Sequence, residues 1–419
     1  MNSRERVLCS LNHSQPDRVP FDFGGTLVGS AHVTVVAKLR QALGLDEPGT
    51  PVKVVEPFQM LGEIAPDLAQ KLKCDVVHLA SKGTMYGFPL DNYKPWAMFD
   101  GTPVMVPGLF NTDPDANGDI LQYPGGNRSL GPCARMPKGG WFCDTITRQG
   151  PVDLDNLNVN DNLEEFGEIS DEVLEPLARE AKRLFNETDK AITAVGPCTN
   201  FGDIASVTAP FLPNPKGIRN IPDWYMSYLC RPGFIHKVFE GQCEIALVNL
   251  GKFWRAVGSN VQILITSFAD FGTQAGPLIS EGTYRELFLP FHKRVNGWVH
   301  ENTPWKTFMH CCGGVAPLIN SFIEAGFDIL NPVQCSAAGM DPEMLKQRFG
   351  GHITFWGGGV DTQRTLPFGT PDEVRKEAGE RLRIFGPSGG YVFNTIHNIQ
   401  ACTPIENVLA MIETVHKCT

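Results

Sequence analysis

Short apolar runs recur along the chain, each ending in glycine, proline or a polar cluster and each preceded by a stretch of helical periodicity. Residues 3–12 read as a helix, Arg4–Leu11 at its centre, stopped by Gln15-Pro16-Asp17. Arg18-Val19-Pro20-Phe21-Asp22 then reads as a short strand that opens into Phe23-Gly24-Gly25-Thr26. A helix through Val33–Leu43, capped by Gly44, and another near 66–73 precede Cys74-Asp75-Val76-Val77-His78-Leu79. After Asn162 the rhythm resumes. The predicted strands are Ala191–Val195, Val261–Ile265, Lys306–His310, Asp328–Asn331, Ile353–Trp356 and Tyr391–Thr395. Helices over 170–185, 222–228 with 232–256, 283–301, 316–325, 341–348 and 371–384 precede them in turn, and a last helix runs from Pro404 to His416.

About eight strand–helix units with largely apolar strands imply a parallel sheet buried on both faces, and that many units favour a closed (β/α)8 TIM barrel. An open dinucleotide-binding sheet is the competitor, but no G-x-G-x-x-G follows the first strand. Gly357-Gly358-Gly359 is a glycine run without the rest of that fingerprint. From Ser81 to about Pro151 the pattern changes to turn-rich segments with short strand-like runs. This reads as a β-rich excursion, 81–151, inserted after the second strand of one barrel domain spanning 1–419. Asp113–Gly118 matches the first half of a calcium loop. Pro124 stands where the bidentate glutamate belongs, so Ala116-Asn117-Gly118-Asp119 is a hairpin turn.

With 20% charged and 42% hydrophobic residues the composition is that of a globular chain, and a net charge of -10 disfavours nucleic acid or an anionic membrane as partner. No apolar stretch approaches the ~20 residues that span a bilayer. Met1–Arg6 lacks the apolar run of a signal peptide, so the expected location is cytoplasmic. The 12 cysteines show no CxxC spacing. In that compartment disulfides are not expected, and Cys74, Cys230 and Cys243 read as small buried hydrophobes.

The rims of such barrels carry the chemistry, and here the most informative rim is Phe308-Met309-His310-Cys311-Cys312-Gly313-Gly314. His310 and Cys312 stand two apart and leave an extended backbone on the same face, a nitrogen and a thiolate suited to zinc. A third ligand must come from elsewhere. His397, after the last strand, is the first candidate, and Cys402, just before a helix, the second. Cys311 points the other way and reads as core. His236, His292, His300 and His352 read as surface residues. Asp22 and Asp270 are candidates for catalysis, in substrate orientation or proton transfer. Asn331, Gln334 and Asn394 are candidates for binding polar substrate groups.

Arg4–Pro20, Phe308–Gly313, Gly326–Pro332, Trp356–Asp361 and His397-Asn398-Ile399-Gln400 through Asn407 resemble the uroporphyrinogen decarboxylase superfamily. The resemblance implies a (β/α)8 barrel and one of two activities. The decarboxylase branch holds an acidic substrate with arginines after the first strand, and Asp22-Phe23-Gly24-Gly25-Thr26 has none. The zinc-carrying, cobalamin-dependent methyltransferases use His-x-Cys at a strand end plus a later ligand, which His310, Cys312 and His397 match. In the coenzyme M type that later ligand is a cysteine. The longer O-demethylase-like methyltransferases are the nearest likeness. The implied function is methyl transfer between a small, methoxylated substrate and the cobalt of a corrinoid protein, with a wide, partly apolar mouth for that partner. A uroporphyrinogen-type decarboxylase and a methylcobalamin:thiol methyltransferase are the alternatives. The excursion can close the mouth, contact the corrinoid partner or build a homodimer; the sequence does not choose.

Overall fold

In the computed structural model, which describes residues 1–417, seven parallel strands lie side by side in chain order. They are β1 (Val76–His78), β2 (Ala191–Val195), β3 (Ile263–Ser267), β4 (Lys306–His310), β5 (Ile329–Asn331), β6 (Thr354–Trp356) and β7 (Tyr391–Val392). The eighth place belongs to the segment around Phe21. The Asp75 amide donates to the Phe21 carbonyl at 2.8 Å on one side. On the other, Phe393 bonds both neighbours of Phe21, with Asp22 N donating to Phe393 O and Phe393 N to Pro20 O, both at 2.9 Å. The parallel sheet thereby curls and closes as a barrel, as the eight units predicted.

Residues alternate in and out along each strand. Val76, Ala191, Ile263, Ile265, Phe308, Ile329, Trp356 and Val392 pack together inside the barrel. Val7 and Leu11 join that inner cluster from the helix Ser3–Leu11, which caps the end of the barrel where the strands begin. Asn2 and Glu5 form a reciprocal capping box at its start, satisfying two orphan amides. Arg6 and Arg18 converge on the fully buried Asp75 at 2.7 Å, tying this helix and the first segment to the foot of β1. The outer faces of the strands form a second, larger core with the helices. With the foot sealed, the open end is the rim where the strands finish.

The β-rich excursion holds more chain than the sequence indicated. Its four-stranded sheet runs Leu61–Gly62, Val52–Glu56, Pro103–Val106, Lys94–Ala97, so it takes up Val52–Glu56 and Leu61–Gly62 from ahead of β1. A three-stranded sheet of Ile120–Gln122, Ala134–Met136 and Asp144–Thr145 follows. The Asn117-Gly118 turn is present, with Gly118 at φ 87° and the Asp115 amide bonded to the Asp119 carbonyl at 2.9 Å.

Two expectations fail. His292, expected on the surface, is buried. The helix over 283–301 is two helices, Glu281–Leu287 and Leu289–Asn302, broken where Pro290 follows Leu289, and His292 shares an inward stripe with Phe291 and Val295. Its Nδ1 pairs with the Tyr284 hydroxyl at 3.0 Å, and burial pushes its pKa down to about 3. Cys230, expected in the core, is exposed at the end of the helix Ile221–Cys230, while Cys74 and Cys243 are buried.

Candidate metal centre

The strand β4 carries Phe308 into the barrel interior, Met309 out to the helices and His310 back into the lumen at the rim. Cys311 turns outward as expected, buried, its sulfur accepting from the Phe271 amide at 3.2 Å. Gly313 then adopts φ 87°, and a Cβ there would meet the backbone of Gly272 and Thr273 at 2.4–2.5 Å. Only glycine allows the loops after β3 and β4 to touch backbone to backbone, and that contact fixes where Cys312 stands.

Three ligand atoms converge above this rim. One ligand atom each from His310, Cys312 and His397 all lie within 4.8 Å of one another. The Cys312 sulfur is 3.3 Å from His310 Nε2. Two ligands of a tetrahedral zinc at about 2.0–2.3 Å stand roughly 3.5 Å apart, so this spacing and the N/S/N donor set fit zinc. No other group of three histidine, cysteine or acidic ligand atoms gathers among the described residues. Cys402 lies exposed outside this set.

The neighbours fix each donor. Asn331 faces His310 across the β4–β5 register. Its amide nitrogen donates to the Trp356 carbonyl at 2.8 Å, so its oxygen must face His310 Nδ1, 2.5 Å away. A carbonyl oxygen can only accept, so Nδ1 carries the proton and Nε2 presents its lone pair to the site. Asp270 accepts from the Cys312 amide at 2.6 Å, and burial, reinforced by this carboxylate, pushes the Cys312 thiol well above its ordinary range. A cation would have to displace that proton. His397 sits at φ 71°, a conformation that only a few per cent of non-glycine residues adopt. The Thr395 hydroxyl holds that turn by donating to the His397 carbonyl at 2.7 Å. Burial, with His310 alongside, lowers its pKa to about 3, leaving a neutral imidazole.

The remaining candidates take up supporting positions. Asn331 spends both ends of its amide inside the protein. Gln334 accepts from the Gly313 amide at 2.8 Å, bracing the same glycine turn. Asp22, 1% exposed, accepts from Gly25 N, Trp356 Nε1 and Asn394 Nδ2 at 2.7, 2.9 and 2.6 Å. Burial raises its carboxyl to about 6 despite those donors. One residue that sequence reasoning passed over borders the site. Phe268 holds its ring 6.2 Å from that of His310. Its signal was position alone, just past a strand end, because an apolar residue there reads as core.

Residues 216–418 match the family model described as Uroporphyrinogen decarboxylase (URO-D). A uroporphyrinogen decarboxylase of Aromatoleum aromaticum is 28% identical over 195 residues, 45% of this chain and 49% of that one. A methylated-thiol–coenzyme M methyltransferase of Methanosarcina mazei is 25% identical over 211 residues, 50% and 51% of the two chains. The chain thus spans about half the length of such curated relatives. A solved methyltransferase structure from Methanosarcina mazei superposes with a TM-score of 0.56 at 16% identity, covering 100% of this chain and 99% of that one, which speaks for a shared fold. Strands β3–β7 and all three converging ligands fall within the stretch that matches the URO-D family model, and the fold is that of a TIM barrel.

Proposed function

We propose that this protein is a methyltransferase that moves a methyl group between a small, methoxylated substrate and the cobalt of a corrinoid protein, with zinc held by His310, Cys312 and His397. The relatives are enzymes, a methyltransferase among them. The observation that carries the zinc assignment is the pairing of Asn331 with His310, which turns the Nε2 lone pair toward Cys312 and His397. Bound there, zinc supplies a Lewis acid at an open coordination position, able to draw electron density from an ether oxygen or to lower the pKa of a thiol.

The chain's own residues do the rest. Asn331 holds the His310 ring, Asp270 and Gln334 hold the Cys312-Gly313 turn, and the closed foot of the barrel keeps solvent access to the rim alone. Demethylation would break the substrate C–O bond and leave its electron pair on oxygen, with the partner's reduced cobalt supplying the electron pair that takes up the methyl. Asp22 and Asp270 are the carboxyl groups proposed for substrate orientation or proton transfer. Likeness to decarboxylases, one of them 29% identical over 194 residues, keeps an acidic substrate as the second reading, but the loop Asp22–Thr26 offers it no arginine.

Metal content decides. Protein purified without a histidine tag should hold about one zinc per chain, and the His310→Ala/Cys312→Ala double variant should hold none. A wild type that stays metal-free after reconstitution sinks the proposal. Zinc content that persists in the variant does the same for this ligand set.

A further inference from the structure

The strand β1 ends on His78, paired in register with Thr193 of β2. Val76 and Ala191, two residues earlier on each strand, belong to the inner cluster, so alternation turns His78 and Thr193 into the lumen as well. The two side chains meet there, with His78 Nδ1 2.9 Å from Thr193 Oγ1. The single hydroxyl proton of Thr193 goes to the Gly25 carbonyl at 2.5 Å. Its oxygen therefore accepts from His78, Nδ1 carries the proton, and Nε2 is left with a lone pair. No residue among those described donates to Nε2, and the atom is not sealed away from solvent. Yet the ring lies deep enough that burial pushes its pKa down to about 4. An imidazole that is deep and still wetted sits at the bottom of an opening, and with the foot of the barrel sealed that opening is the rim.

A hydrogen-bonded chain joins this side of the lumen to the His397 side. Gly25, which takes the Thr193 proton on its carbonyl, gives its amide to Asp22. Asp22 accepts in turn from Asn394, and Thr395 beside it holds the His397 turn. The interior of an eight-stranded barrel is only wide enough for its own side chains, so a small molecule lodged over His310, Cys312 and His397 extends over His78. We propose that His78 Nε2 is a specificity-determining acceptor for the substrate, taking an O–H or N–H that the bound molecule carries apart from its methyl group. A molecule that covers His78 without such a donor strips Nε2 of water and leaves it unpaired. The site therefore prefers a ligand with a free donor to the same ligand with that donor methylated. Where a molecule carries two methyl ethers, its partly demethylated form binds better. That the molecule is a methyl ether rests on the function proposed above; the demand for a donor rests on the geometry of His78.

Matched pairs of probes test it: the 2-, 3- and 4-methoxybenzyl alcohols and their methyl ethers, titrated calorimetrically into the protein as purified. For at least one isomer the alcohol should bind roughly 5–100-fold tighter than its ether, the range set by leaving a buried acceptor unpaired. That preference should vanish in His78→Leu and largely survive in His78→Gln, whose amide oxygen can stand where Nε2 stood. A direct bond from the alcohol to a metal would be untouched by His78→Leu. Metal content and melting temperature of each variant, unchanged from wild type, show that the barrel and the three-ligand site are intact. Equal binding within every pair, a preference that persists in His78→Leu, or binding of no alcohol overturns the proposal. If the preference follows His78 but no methyl group ever reaches a reduced corrinoid protein, the hydrogen bond stands and the methyl-transfer reading falls. Methyl transfer without the preference leaves that reading standing and removes this role of His78.

Discussion

Asn331 shows how much of a site can hang on one uncharged amide. Its two ends are fixed by partners that cannot exchange roles, and the His310 tautomer follows. Asn331→Leu keeps the side-chain volume and removes that control. Zinc affinity, measured by competition with a chromophoric chelator, should fall 10–100-fold, the usual effect of losing such a partner, with the melting temperature of the zinc-free protein little changed. Undiminished affinity would show that the ring is held by packing alone. Asp22 makes a prediction of a different kind. Its carboxyl is raised from 3.8 to about 6 in the folded protein, so its stabilising contribution is present below pH 4 and is lost as pH rises through 6. The stability of Asp22→Asn relative to wild type should therefore climb by about 2–3 kcal/mol between pH 4 and 7, read from urea unfolding of the zinc-free proteins. A flat difference would mean that Asp22 is ionised throughout. His310 and Cys312 were legible because two ligands two residues apart is a local pattern. The pairing of Asn331 with His310 was not, since it depends on the register between β4 and β5.

At the scale of elements, the helix Ser3–Leu11 was plain in the sequence, but its place was not. An amphipathic stripe reads the same whether a helix packs on the flank of a barrel or across its foot. The contacts of Val7 and Leu11 with the inner cluster show that it lies across the foot. Leu11, 2% exposed, should cost about 2–5 kcal/mol when cut to alanine, seen as a lower urea midpoint at unchanged slope. A change below ~0.5 kcal/mol would mean that the helix is dispensable to the barrel. The excursion was legible only in part. Its turn at Asn117-Gly118 carries its own signal, whereas Val52–Glu56 pairs with Val104 and Met105 from far along the chain, and no local pattern names such a partner.

Across the whole molecule, the barrel was legible because eight apolar runs, each followed by a helix, leave few alternatives. How thinly it closes was not, because the closing segment at Phe21 has only a bridge on one side and a single backbone hydrogen bond on the other. That closing segment has a consequence for how a metal could be acquired. His310 and Cys312 leave the ribosome well before His397 exists, and His397 takes its place only when the last strand has zipped onto the first. Until then the chain carries a two-toothed chelator open to any soft cation. Afterwards it carries a three-toothed one reached from the rim alone. If zinc is the metal of this site, as proposed, its loading is a step that follows folding, and cells producing this protein in excess of their zinc supply should accumulate a folded, empty barrel rather than a misfolded chain.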